Sequence, residues 1–196
     1  MSDPPSTFED TFEERVDEMT ISDIAEQAWL DQEHQRTTGL IRRFGVFIQY
    51  VGGESCSCCE AGVGKPEAPG DDARSAPFAH TVGLFGIGHP ELLIVGADPG
   101  TSSAVLNDVS ARIRSGRDLV VGEMLTFDGW THRVVVEAVP NPGDIAFAAN
   151  RFYQRPREHS VPLLQLTYDD RDGRFPWDDG FANPTWVQPR PGELRA

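Results

Sequence analysis

Residues 78–96 read Phe78-Ala-His-Thr-Val-Gly-Leu84, then Phe85-Gly-Ile-Gly-His-Pro90, then Glu91-Leu-Leu-Ile-Val-Gly96. The first segment is β-rich, with Phe78, His80, Val82 and Leu84 on one side of a strand. The third contains a continuous apolar run of strand length and reads as another buried strand. The six residues between them are too few for a crossover helix, so the two strands must pair antiparallel. A second antiparallel pair follows. Met124–Phe127 and Trp130–Val139 flank Asp128-Gly129, a dipeptide suited to a tight hairpin turn.

Working outward, Asp98-Pro99-Gly100 introduces a helix expected to be capped by Thr101 or Ser102, with Val105, Val109 and Ile113 inward and Gly116 at its end. Asp144–Tyr153 reads as another helix, stopped by Pro156, and Val161–Tyr168 as a further strand. Upstream, Thr20 and Asp23 begin a helix expected to end before Gly39, its apolar stripe formed by Ile21, Ile24, Ala25 and Ala28. Phe44–Val51 then supplies the first strand. Ser6 and Glu9 form a possible capping box for a short acidic helix carrying Phe8, Phe12, Val16 and Met19. Phe175, Trp177, Phe181 and Trp186 are too many aromatics for a free tail, so residues after 168 are expected to form an ordered irregular strap.

These elements predict one α+β domain: a mainly antiparallel sheet with helices on one side. The expected limits are an acidic helical extension over 1–36, the domain over 37–180 and a strap or tail over 181–196. A doubly wound sheet would need more strand–helix alternation. Within the domain, residues 52–77 form a long Gly, Pro and Cys loop without period, uncommon unless functional or disordered.

Composition narrows the function classes. Of 196 residues, 47 are Leu, Ile, Val or Phe, enough for a packed core. The formal charge is −14, and residues 1–33 hold eleven acids against Arg15 alone. No basic groove is available for a polyphosphate, so nucleic acid is not an expected partner. No apolar run approaches 18 residues, so no membrane span is expected. The first 25 residues lack the basic and apolar regions of an export signal, which makes the cytoplasm the expected location. A small molecule or another protein remains the expected partner.

Several residues carry candidate chemistry. Cys56, Cys58 and Cys59 offer thiolates suited to zinc, although Cys-x-Cys-Cys departs from Cys-x₂-Cys spacing. An odd cluster so tight is a poor disulfide framework; free thiols in a reducing compartment are the plainer reading. His80, His89 and His132 are candidate acid–base groups, with Glu91, Asp98 or Asp128 as carboxylates, if the sheet brings His80 and His132 together. The alternative is that His80 and His132 are satisfied core histidines and His89 a turn residue. Gly86, Gly88 and His89, with Asn107 and Arg151, could line a ligand pocket, Arg151 anchoring an anion. The glycine run lacks the helix N-terminus that phosphate cradles use. Asp169, Asp170 and Asp172 before Gly173 read as a polar turn, since the twelve-residue calcium pattern is missing. No Gly-x-Ser-x-Gly elbow is present. A concave apolar site is expected near Gly86–Pro90 or beneath the Phe175–Trp186 strap.

Five stretches together resemble a bacterial family catalogued as domain-of-unknown-function family 4262, over about residues 37–180. They are Phe78-Ala-His-Thr-Val-Gly-Leu with Gly88-His-Pro-Glu-Leu-Leu-Ile-Val-Gly; Leu106-Asn-Asp; Leu125-Thr-Phe with His132; Asn150-Arg-Phe-Tyr; and Leu164-Gln-Leu with Asp172-Gly-Arg-Phe-Pro-Trp177. The resemblance implies no activity, cofactor or site residue. The layout of Thr81–Ala104 is also similar to that of flavin-binding split barrels, which implies a flavin as a possible cofactor by fold analogy alone. Three functions follow as expectations: a small-molecule or protein-binding module, an enzyme using histidine–carboxylate chemistry, or a flavin-binding protein.

Overall fold

The computed structural model describes residues 21–52 and 76–194. The acidic helix expected from Ser6 and the cysteines at 56, 58 and 59 lie outside the described residues. The chain divides into two units, Met1–Gln35 and Arg36–Ala196. The described part of the first is helical from Ile21 onward, and its Ile24 and Trp29 are exposed.

That helix, α1 (Ile21–Phe44), continues into the second unit and runs through Gly39, past its expected end. Gly39 has open space where a side chain would be and simply stays helical. The stop is Gly45, at φ +93°, whose N–H donates to the Ile41 carbonyl at 2.7 Å. A left-handed glycine just past the last turn is the usual helix terminator, and Arg42 and Arg43 place cations at the carbonyl end.

Six strands form one sheet: β1 (Phe47–Val51), β2 (Phe78–Val82), β3 (Glu91–Val95), β4 (Met124–Phe127), β5 (Trp130–Ala138) and β6 (Leu163–Tyr168). Their spatial order is β1-β2-β3-β6-β5-β4. The β2–β3 pair has Phe78 opposite Val95 and His80 opposite Leu93, antiparallel as the short connection requires. All other neighbours are antiparallel except β3 and β6, which run parallel with Leu92 opposite Leu164. An α+β class with a mainly antiparallel sheet therefore describes the domain.

The helices lie on both faces of the sheet rather than on one. On the first face, Val105, Leu106, Val109 and Ile113 of α2 (Pro99–Arg114) meet Ala79, Leu92, Ile94, Val134, Val136, Leu164 and Leu166. On the second, Ala148 and Ala149 of α3 (Phe147–Phe152), with Ile145, Val139 and Leu194, meet Phe78, Val82, Leu93, Val95 and Leu163. The reason is the run Leu92-Leu-Ile-Val95: alternate side chains point to opposite faces, and all four are fully buried. Each burial stabilises by on the order of 2 kcal/mol, so neither face of β3 tolerates water.

Asp98, not Thr101 or Ser102, caps α2. Its Oδ1 accepts the N–H groups of Gly100 (2.9 Å) and Thr101 (3.0 Å), and Pro99 fills the first helical position, where no N–H is needed.

After β6 the chain becomes the strap, which covers the second face of β5 and β6. The Phe175 and Trp177 rings stack 4.8 Å apart and nearly parallel. Arg133 of β5 lies over the outer face of the pair at Phe175, and Arg190 over Trp177 at 4.6 Å. The Gln188 amide bonds both the N–H and the carbonyl of Tyr168 at 2.9 Å, extending the sheet's pairing with a side chain.

The strap also closes on Gly96, which follows β3 at φ +77°. A Cβ there would stand 2.3 Å from the Val187 carbonyl oxygen. Gly96→Ala is therefore expected to lower the unfolding free energy by at least ~2 kcal/mol, from left-handed strain and displacement of the strap together. Urea unfolding checks this, and an unchanged midpoint would show that the strap does not pack there.

Candidate functional site

Strands β1, β3 and β6 share one direction, so their C-terminal ends open on one edge of the sheet. Tyr50 lies near the end of β1, Asp98 follows β3, and Tyr168 ends β6. β5 begins at this edge and runs beyond β6: its first pairing with that strand is Val134 opposite Tyr168. Trp130 and His132 thus overhang the end of β6, on the same face as Val134 and Val136.

Asp98 sets the electrostatics. The Thr101 hydroxyl, at 2.6 Å, and then the N–H groups of Thr101 and Gly100 hold its carboxyl below the usual range. Burial, and then the Asp98 charge, push the Tyr168 phenol up to about 12; the same two causes raise Tyr50. Both phenols therefore stay protonated at neutral pH and act as donors.

His132 is fixed by its neighbour strand. Its Nδ1 lies 2.6 Å from the Asp169 carbonyl oxygen and 3.3 Å from the Asp169 Oδ1. Facing two oxygens, Nδ1 must carry the proton and donate. The Asp169 carboxylate, 3% exposed, also accepts the Arg133 N–H (2.9 Å) and the Arg133 Nε–H (2.7 Å), so it is held on three sides. The imidazole lies 5.1 Å from the Trp130 ring and 5.9 Å from the Tyr168 ring, centroid to centroid. Its Nε2 has no hydrogen-bond partner among the described residues.

The three histidines do not converge. His80 sits on the second face, stacked on Phe78 and edge-on to Phe147 at 5.6 Å. Strands β3 and β6 separate it from β5, a span of ~14 Å at ordinary strand spacing. Its Nδ1 is 3.1 Å from the Thr81 carbonyl, and its buried Nε2 has no partner among the described residues. His89 ends the Gly86–Gly88 turn, Nδ1 2.7 Å from the Pro90 carbonyl, with Nε2 likewise buried and without partner. Asp169, not Glu91, Asp98 or Asp128, is the carboxylate beside His132.

The glycine run folds around a buried carboxylate. Glu91 accepts the Thr81 hydroxyl (2.6 Å) and the N–H groups of Gly83 (2.8 Å) and Phe85 (3.0 Å), and the Gly86 N–H donates to the Tyr153 hydroxyl (3.1 Å). Donors that a phosphate would need are thus already engaged. Burial and then Glu91 push the Tyr153 phenol up to about 12. Gly86, Gly88 and His89 share this loop, which meets α3 through Tyr153; Arg151 is exposed on α3. Asn107 is exposed on α2, on the other face, bonded to Ser103. The five do not form one pocket wall.

Among the described residues no group of three or more His, Cys, Asp or Glu is placed to hold a metal ion. The Asp169–Asp172 segment is a turn, in which Asp170 accepts the N–H groups of Asp172, Arg174 and Ala182. Beside the strap, a groove of about 520 Å³ is lined by Val121, Val135, Glu137, Pro140, Trp177 and Arg190, among others.

The model of the domain of unknown function DUF4262 matches residues 40–182, and the chain belongs to that family. No curated protein and no solved structure matches the chain. Among the described residues no helix is long and apolar enough to cross a membrane.

His80 generates a pH prediction. Burial lowers its pKa from 6.5 to about 4, against a smaller opposing effect of the Thr81 carbonyl. Folding therefore excludes the imidazolium. The stabilisation is complete above pH 6.5 and is lost as pH falls toward 4, about 3 kcal/mol in all. Relative to His80→Leu, the native chain should lose that much more stability between pH 7 and pH 4, measured by urea unfolding. Parallel stability curves for the two would contradict it.

Proposed function

We propose that the chain is a small-molecule-binding protein that takes its ligand at the carboxyl edge of β3 and β6. The observation that carries this reading is the departure of the two following segments to opposite faces. After β3 the chain enters α2 on the first face, and after β6 it enters the strap on the second. In open sheets such a divergence leaves a crevice beyond the strand ends, where ligands bind. The edge collects unlike chemistry in a short span: the Asp98 carboxylate, the phenols of Tyr50 and Tyr168, the Trp130 ring and the His132 imidazole. A planar, partly polar ring fits this set, stacking on Trp130 and accepting from a phenol or donating to the imidazole. A flavin ring is one member of that class.

Titration with indole, nicotinamide and FMN, followed by NMR, tests the reading. At least one should shift the Trp130 indole N–H and the His132 ring saturably, and Trp130→Ala should abolish the response. Shifts confined to Trp177, beside the strap groove, or no saturable shift at all, would overturn it.

A further inference from the structure

We infer that His132 is a catalytic base, and that the substrate class is a planar conjugated molecule with an acidic C–H or O–H held against Trp130. The inference rests on the binding reading above and adds a reaction to it.

Three features of the geometry lead there. First, the tautomer is set: two Asp169 oxygens face Nδ1, so in the neutral ring the free lone pair is on Nε2. Second, the orienting carboxylate is itself immobilised. Asp169 is 3% exposed, ion-paired to Arg133 through Nε–H and hydrogen-bonded by the Arg133 backbone N–H, so it is held in place beside the ring to stabilise the imidazolium that proton uptake creates. Third, the ring is one-fifth exposed and flanked by Trp130 and Tyr168, leaving Nε2 without a partner among the described residues and next to an aromatic surface. His80 and His89 also leave Nε2 without a partner, but theirs is buried, whereas the His132 ring is partly exposed and can be reached from the edge of the sheet.

The charged and titratable groups around the ring are few. Asp169, just past β6, faces Nδ1, Arg133 acts through that carboxylate, and the Tyr168 phenol stays neutral through the working range. Arg133 and Asp169 are positioning residues. They do not touch the substrate.

The test uses 5-nitrobenzisoxazole, a planar probe whose ring opens when a base removes one proton. Nε2 takes the C3 proton, the C–H electron pair becomes the third bond of the nitrile, the N–O bond breaks, and the oxygen, still on the ring, keeps the N–O pair as phenolate. The imidazolium then returns the proton to solvent. No oxidant or co-reactant is needed. The full chain should open the probe faster than free imidazole at equal concentration. His132→Gln should lower the protein-dependent rate about tenfold or more, a typical general-base contribution or less. His159→Gln, at an exposed position ahead of the start of β6, should leave it unchanged. Independently, ¹⁵N shifts of the neutral His132 ring should show the proton on Nδ1.

An unchanged rate in His132→Gln, or a neutral ring protonated at Nε2, overturns the inference. Either result can occur while indole, nicotinamide or FMN still shifts Trp130, which would leave the binding reading standing. Loss of those shifts with the tautomer intact would strike the binding reading instead.

Discussion

Strands β3 and β6 lie side by side, parallel, at the middle of the sheet, and both are buried along their whole length. A strand in that position exposes apolar side chains on two faces and needs two covers. The chain provides them from different places: α2 on the first face, α3 and the strap on the second. The parallel pairing also cannot be closed by a turn, so everything between β3 and β6 must be accommodated as one long excursion. That excursion contains α2, the β4–β5 hairpin and α3. The rest of the architecture is the set of ways in which this buried pair is kept dry.

The edge chemistry follows from the same constraint. Two parallel neighbours whose continuations leave to opposite faces end together, and polar residues stand just past their ends, Asp98 exposed and Asp169 buried. Asp98 is there because α2 needs a cap, and Asp169 because β6 ends beside the overhanging start of β5. Each performs a local structural task, and each perturbs a neighbouring titratable or reactive group: Asp98 the two phenols, Asp169 the tautomer of His132. Elsewhere the buried carboxylate Glu91 is fully committed to its own turn, and this distinguishes the glycine loop from the carboxyl edge.

Local pairings were legible in the chain because their causes are local. The six-residue link after Leu84 and the Asp128-Gly129 turn dictate antiparallel partners regardless of the remaining fold. The β3–β6 pairing depends on residues some seventy positions apart, and no spacing rule reports such contacts. For that reason the helices on both faces were not foreseen, although the unbroken run Leu92-Leu-Ile-Val95 already asks for burial twice over. The end of α1 and the cap of α2 each offered two acceptable residues: left-handed Gly45 ends α1 rather than Gly39, and Asp98, through its backbone hydrogen bonds, caps α2 rather than Thr101 or Ser102. In the candidate site, the shared face of Trp130 and His132 followed from strand alternation alone. The partner Asp169 did not, because its approach depends on the β5–β6 register. The three aspartates near 170 looked like a polar turn and are one, but the first of them also reaches across to the neighbouring strand.

Native-state hydrogen exchange tests the central claim most directly. If the parallel pair is the element on which both cores depend, the amides of Leu92–Val95 and Leu164–Thr167 should exchange only through global unfolding, with the full denaturant dependence of the whole domain. If they instead open in a smaller unit, while amides of the β4–β5 hairpin remain protected to the global limit, the pairing is peripheral and the account given of the edge fails with it.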